Sequence, residues 1–154
     1  AGLYTPSKGK VEINTEHVGY VGVTPLVFEG TIKENLLYGN KNKVEDKELL
    51  KILDEFNFFN NEKYDLGLLV NNKSLSSGQL QKISFMRSLL NNTQLLLLDE
   101  STSNIDTASK EHIKEILSRR KISVVNCTHN IEDFDYQERF VIKVDEKSRI
   151  ISNI

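Results

Sequence analysis

The sequence predicts an α/β fold: a partial parallel sheet with an inserted helical subdomain. Three observations carry this. The stretch Gln94 to Leu98 is a continuous apolar run that ends in two carboxylates, Asp99 and Glu100, as suits a strand buried on both faces of a parallel sheet. A helical pattern and a second apolar run, Ile122 to Cys127, come after it, and strand, helix, strand implies a right-handed parallel crossover. Between Thr31 and about Asn92, apolar residues recur at helical spacing, which gives the inserted block.

The elements follow in chain order. Thr5-Pro6-Ser7-Lys8-Gly9 reads as a turn, Val11-Glu12-Ile13 alternates like a short strand, and Val18-Gly19-Tyr20-Val21 reads as another. After the acidic helix start Glu45-Asp46, Leu49, Leu50, Ile52, Leu53 and Phe56 lie at 3.6-residue spacing. Leu80, Ile83, Met86, Leu89 and Leu90 do the same after Ser76-Ser77-Gly78. Ile113, Ile116 and Leu117 place an amphipathic helix across about Thr107 to Arg119. Phe140 to Val144 and Arg149 to Ile151 read as a closing hairpin around Asp145-Glu146-Lys147. The organisation expected is strands over 1–30, helical subdomain over 31–92, and sheet with closing strands over 93–154.

Composition bounds the function classes. With 154 residues, 38% of them hydrophobic, the chain suits one domain with a real core. A net charge of −2, with both signs spread along the chain, gives no basic face for nucleic acid and no polybasic membrane patch. The single cysteine, Cys127, cannot form an internal disulfide, which fits a reducing, cytosolic setting. The longest purely apolar run, Leu95 to Leu98, falls far short of the roughly 20 residues of a spanning helix. No charged-then-apolar leader opens the chain and its only methionine is Met86, so the sequence reads as an excised fragment.

Two places could carry chemistry. In an open α/β sheet, ligands sit beyond the carboxyl ends of the strands, where Asp99 and Glu100 stand. One carboxylate can hold Mg²⁺ through water while its neighbour polarises an attacking water; a strand that simply ends in a charged turn is the plainer reading. Leu75-Ser76-Ser77-Gly78-Gln79 heads a helix, whose free N–H groups and positive dipole end attract anions. Ser76 adds a hydroxyl and Gly78 lets backbone amides approach a phosphate. An ordinary N-cap turn explains the same residues without a ligand.

The order Leu75-Ser76-Ser77-Gly78-Gln79, then Leu95-Leu96-Leu97-Leu98-Asp99-Glu100, then Ser101-Thr102-Ser103-Asn104-Ile105-Asp106, then Thr128-His129 resembles the ATPase domain of ABC transporters. That resemblance implies a P-loop NTPase-like fold. It makes Ser76, Ser77, Gly78 and Gln79 the nucleotide-binding signature motif, Asp99 the magnesium-side Walker B aspartate and Glu100 the general base. Asp106 becomes the D-loop aspartate, counted with the cofactor-binding residues, and His129 the switch histidine that senses the γ-phosphate. Upstream, Val18-Gly19-Tyr20-Val21 and Phe28-Glu29-Gly30-Thr31-Ile32-Lys33-Glu34-Asn35-Leu36 are similar to the Q-loop strand and following segment of exporter-type domains. Ala1-Gly2-Leu3-Tyr4-Thr5-Pro6 matches the tail of the P-loop region.

The chain departs from the family at several points. No G-x-x-x-x-G-K-[ST] phosphate loop is present, and the only Gly-Lys pair, Gly9-Lys10, is followed by Val11. Val23 stands where the family has its glutamine, Ser77 replaces the first glycine of the signature, and Val70-Asn71-Asn72-Lys73 lacks an acidic residue frequent before it. The family topology puts the P-loop strand between the His129 strand and the closing strands, so without it unpaired backbone or a void is expected there.

The resemblance therefore implies the C-terminal part of a transporter's nucleotide-binding domain, coupling ATP and Mg²⁺ use to transport in the full-length protein. Its partners would be a second nucleotide-binding domain and a transmembrane domain, at the cytoplasmic face of the membrane, with no nucleic acid. The 154-residue chain alone is expected neither to bind ATP tightly nor to hydrolyse it. The alternative is a truncated, non-enzymatic module that only pairs with another nucleotide-binding or membrane domain. A soluble ATPase of DNA maintenance or translation is disfavoured by the exporter-like segment and the lack of long heptads.

Overall fold

The computed structural model describes residues 5–59, 64–103, 105–130, 132, 134–144 and 149–153. Ala1 to Tyr4, Asn104 and the hairpin turn Asp145-Glu146-Lys147, all part of the sequence expectations, lie outside the described residues.

Three strands form a parallel sheet in the order β1 (Val18–Val21), β4 (Leu95–Asp99), β5 (Ser123–Cys127). The register sets Val18 opposite Leu95, Val21 opposite Leu98, and Asp99 opposite Cys127. Between β1 and β4 the chain makes β2 (Gly30–Thr31), α1 (Ile32–Leu37), α2 (Asp46–Glu55), β3 (Leu69–Val70) and α3 (Ser77–Leu90). Helix α4 (Thr107–Arg119) connects β4 to β5. Among the described residues, the closing strands β6 (Phe140–Val144) and β7 (Arg149–Asn153) pair only with each other, as an antiparallel pair separate from the parallel sheet.

Local chemistry explains the helix limits. Thr31 caps α1 and Ser76 caps α3, each in a reciprocal capping box with the glutamate or glutamine three residues on, which satisfies amide donors that a helix start leaves open. At the end of α2 the chain turns through Asn57 at φ 44°, with Phe58 N–H donating to Leu53 O at 3.0 Å and Asn57 N–H to Asp54 O at 2.8 Å. This is a Schellman closure, with asparagine taking the left-handed position that costs most other residues more. It drops Phe58 into the core beside Leu53, and both are buried.

The core gathers Leu49, Ile52, Leu53 and Phe56 of the α2 turn region, Ile83, Phe85 and Met86 of α3, Leu96 and Leu98 of β4, and Ile113 and Ile116 of α4. Most of the residues whose spacing predicted the helices are buried, Leu50 being exposed and Leu80 only partly covered, and α4 spans the expected Thr107–Arg119.

Three expectations need correction. Val11-Glu12-Ile13 is not a strand: Val11 and Ile13 are exposed and pair with nothing in a sheet. Alternation alone does not make a strand without a partner edge. The block over 31–92 is not purely helical, because β2 and β3 form a short antiparallel pair within and beside it. Nor are the apolar strands buried on both faces. In β4 only Leu96 and Leu98 are fully buried, and β5 has no fully buried residue, with Val125 57% exposed. The cause is position: β5 is the last strand of its sheet, and the hairpin that follows does not pair with it.

Candidate functional site

The parallel register brings four of the singled-out side chains to the carboxyl edge of the sheet. Asp99 is the last residue of β4, Glu100 follows it, and Thr128 and His129 follow β5. Glu100 N–H donates to Cys127 O at 2.9 Å, which carries the strand pairing one step past β4. The chain then reverses: Glu100 takes φ 50°, a left-handed value that costs a non-glycine residue about 1–3 kcal/mol. The reversal aims the carboxylate across to the next strand. Its Oε1 accepts from His129 N–H at 2.9 Å and lies 3.6 Å from His129 Nε2. The His129 side chain is otherwise fully exposed, and Glu100 is 28% exposed.

Asp99 has a different neighbour. The Tyr20 hydroxyl on β1 donates to Asp99 Oδ2 at 3.1 Å. The bond to Asp99 raises the Tyr20 pKa above its ordinary value, helped by slight burial and then by the carboxylate's charge. Sequence reading took Tyr20 only as a strand residue. Its role depends on which strand lies beside β4 and in which register, and only the strand's own alternation was legible.

The signature residues form a second cluster. Ser76 Oγ accepts from Gln79 N–H at 3.2 Å, and Gln79 Oε1 accepts from Ser76 N–H at 3.0 Å. Gln79 Nε2 also donates to Phe58 O at 3.4 Å. In this structure Ser76 and Gln79 thus satisfy one another, as the N-cap reading holds, while open space surrounds Gly78 Cα where a Cβ would project. Ser77 begins α3. No hydrogen bond or ion pair among the described residues links Ser76, Gly78 or Gln79 to Asp99, Glu100 or His129. What connects the clusters is the body of α3: buried Gln81 donates from Nε2 to Gly22 O at 3.0 Å, just past β1.

Asp106 caps α4, accepting from Ser109 N–H at 2.9 Å. Those bonds, chiefly, hold its carboxyl below the usual range, and Lys82 of α3 adds to the effect. Burial lowers the Lys82 pKa while Asp106 pulls it back up. Val23 is 46% exposed and offers only hydrocarbon at the loop after β1. Sequence reading also missed Glu55, at the end of α2, which binds Arg120 at 2.5 Å and Arg119 at 3.6 Å. That contact fastens the inserted helices to α4.

The donor set at the edge suits a hard, oxygen-preferring divalent cation. Asp99 and Glu100 offer oxygen, the ligand Mg²⁺ prefers, and a magnesium site commonly uses one or two carboxylates with waters and substrate phosphates. No cluster of three or more His, Cys, Asp or Glu side chains among the described residues could hold a metal. Asp99 and Glu100 are the carboxylates at this edge whose chemistry fits such an ion.

Carboxylates at the end of a central parallel strand, an inserted helical block headed by a capped Ser-Ser-Gly-Gln turn, and a histidine after the neighbouring strand sit on a partial parallel α/β sheet, and the family the chain matches makes this a P-loop NTPase-class domain. The family model described as ABC transporter matches residues 1–103. The chain is 34% identical over 142 residues to the SPbeta prophage-derived sublancin-168-processing and transport ATP-binding protein of Bacillus subtilis (strain 168), covering 90% of this chain and 20% of that protein. It is 29% identical over 161 residues to the ATP-dependent permease MDL1 of Candida albicans, covering 91% and 24%. With ABC transporter B family member 22 of Arabidopsis thaliana the identity is 32% over 135 residues, covering 76% and 11%. The chain belongs to the ABC transporter family and corresponds to part of its ATP-binding domain. It spans about a fifth of the length of the first curated relatives it matches. No helix among the described residues is long and apolar enough to cross a membrane.

Proposed function

We propose that, in the full-length protein, this chain forms the hydrolytic edge and signature helix of an ATPase that drives transport. The observation that carries the reading is the meeting of Asp99, Glu100 and His129 at one carboxyl edge, with Glu100 turned toward His129 at φ 50°. Bound MgATP would supply the phosphoryl group and the charge neutralisation that phosphoryl transfer requires. Asp99 is the residue that would hold the ion. Glu100 keeps Oε1 on the His129 amide and leaves Oε2 to orient a water and take its proton. His129, exposed and next to Glu100, is free to turn toward a terminal phosphate.

The signature residues Ser76, Ser77, Gly78 and Gln79 serve a second nucleotide-binding domain's ATP in this reading, with Asp106 at the same dimer face. For Ser76 and Gln79 this requires giving up their mutual bonds for bonds to phosphate, which gives the site closed and open forms. A transmembrane domain is the other partner, which places the chain at the cytoplasmic face of a membrane.

The test is ATP turnover by the full-length protein. Glu100→Gln keeps the shape and removes the base, and turnover should fall about 10²- to 10⁴-fold. Unchanged turnover would sink the assignment. The non-enzymatic reading draws support from Val23, which has no amide to offer the site. It would be upheld if the full-length protein bound its partners but turned over no ATP.

A further inference from the structure

β1 and β4 run parallel with Tyr20 opposite Leu97, and side chains two residues apart on a strand share a face. Asp99 therefore lies on the face of Leu97 and Tyr20, about 6.6 Å further along at the usual rise of a parallel strand. A tyrosine side chain spans that gap only by lying along the sheet in the strand direction. Its hydroxyl then meets Asp99 Oδ2 at 3.1 Å.

Lying down requires space on β1's own side. Two residues past Tyr20 is Gly22, where an added Cβ would sit 2.7 Å from the Tyr20 hydroxyl oxygen, 3.0 Å from Cε1 and 3.1 Å from Cζ. The strand end at Gly22 is held fixed, since its carbonyl accepts from buried Gln81. Packing does not explain the ring's pose, because Tyr20 is 55% exposed.

The chemistry of the donor matters as well. A lysine or arginine at this place would neutralise Asp99 and compete with a divalent cation. A phenol, with an ordinary pKa near 10, is neutral at physiological pH, so it can orient the carboxylate and leave the site's negative charge intact. Val23, the next outward residue beyond Gly22, offers no hydrogen bond, so Tyr20 is the polar group that β1 itself sends to the carboxylates.

We propose that Tyr20 is a positioning residue for Asp99: its hydroxyl pins one carboxylate oxygen, in room left by Gly22, and so sets which oxygen faces the divalent cation that enters with the nucleotide. The proposal rests on the reading of Asp99 given above. It makes positions 20 and 22 a coupled pair, although neither side chain touches the ion.

The experiment measures Mn²⁺ affinity by electron paramagnetic resonance in the full-length protein with ATP, for the parent, Tyr20→Phe, Gly22→Ala, the double variant and Asp99→Asn. Metal-free ATP affinity and the thermal midpoint are recorded alongside. Tyr20→Phe keeps the ring and should weaken Mn²⁺ binding about tenfold, the lower end for loss of a partner that orients a metal ligand, with both other readings unchanged. Gly22→Ala should produce the same loss by pushing an intact hydroxyl away, and the double variant should be no worse than either single. Parent-like Mn²⁺ affinity in Tyr20→Phe would overturn the proposal, and so would a loss that tracks the thermal midpoint. Asp99-dependent Mn²⁺ binding without turnover would fell the ATPase reading alone, and the Tyr20 comparison would still be decided.

Discussion

Strand β4 has two neighbours, and they live in different surroundings. On the β1 side, Val21 is buried, and α3 reaches over the strand with Ser88 Oγ donating to Tyr20 O at 3.4 Å and Gln81 to Gly22 O at 3.0 Å. On the β5 side no strand residue is fully buried, and the next two strands form a hairpin of their own. Ile122, Val124 and Phe134 are only partly buried, and Val125, Tyr136, Phe140, Ile142 and Ile151 are exposed. The site straddles this divide: Asp99 is tied to the packed side through Tyr20, while Glu100 is tied to the open side through His129. Half of the site thus rests on a finished core and half on an open sheet edge.

Four substitutions would break or sharpen that contrast. Phe85→Ala empties a fully buried site and should cost about 3–5 kcal/mol in urea unfolding. Gln81→Leu preserves volume but strands the Gly22 carbonyl, and should cost about 1–3 kcal/mol, the penalty of a buried acceptor left unmade. A smaller loss would mean that α3 does not clamp β1.

Asp106→Ala removes the cap of α4, the helix that leads into β5, and should cost about 1 kcal/mol at neutral pH. Because the folded state lowers this carboxyl's pKa, the stabilisation is full above the unfolded value and fades as pH falls through the lowered folded one. Parent and variant should therefore converge in acid unfolding curves. Last, Val125→Lys on exposed β5 should change stability by less than about 0.5 kcal/mol in the 154-residue chain. A markedly larger cost in the full-length protein would show that this edge is covered there.

What was legible in the sequence was local. Helix α4 and the Ser76 start of α3 follow from periodicity and caps, which involve residues a few positions apart. Asp99 and Glu100 could be named because ligands gather beyond the carboxyl ends of strands in an open α/β sheet, and His129 because the order of motifs resembles the ABC ATPase domain. The exposure of β5 could not be read, since an apolar run looks the same whether or not a further strand lies against it. Val11 to Ile13 failed for the same reason, and Tyr20 was missed because a contact between strands depends on register.

Glu100 leaves one further mark on the molecule. At φ 50° its backbone suits glycine or asparagine better than glutamate, so the substitution that most relaxes the turn also deletes the carboxylate. A library selected for heat resistance alone should lose glutamate at this position early, and one selected for turnover should keep it. The difference between the two populations would report which of them the chain's own history resembles.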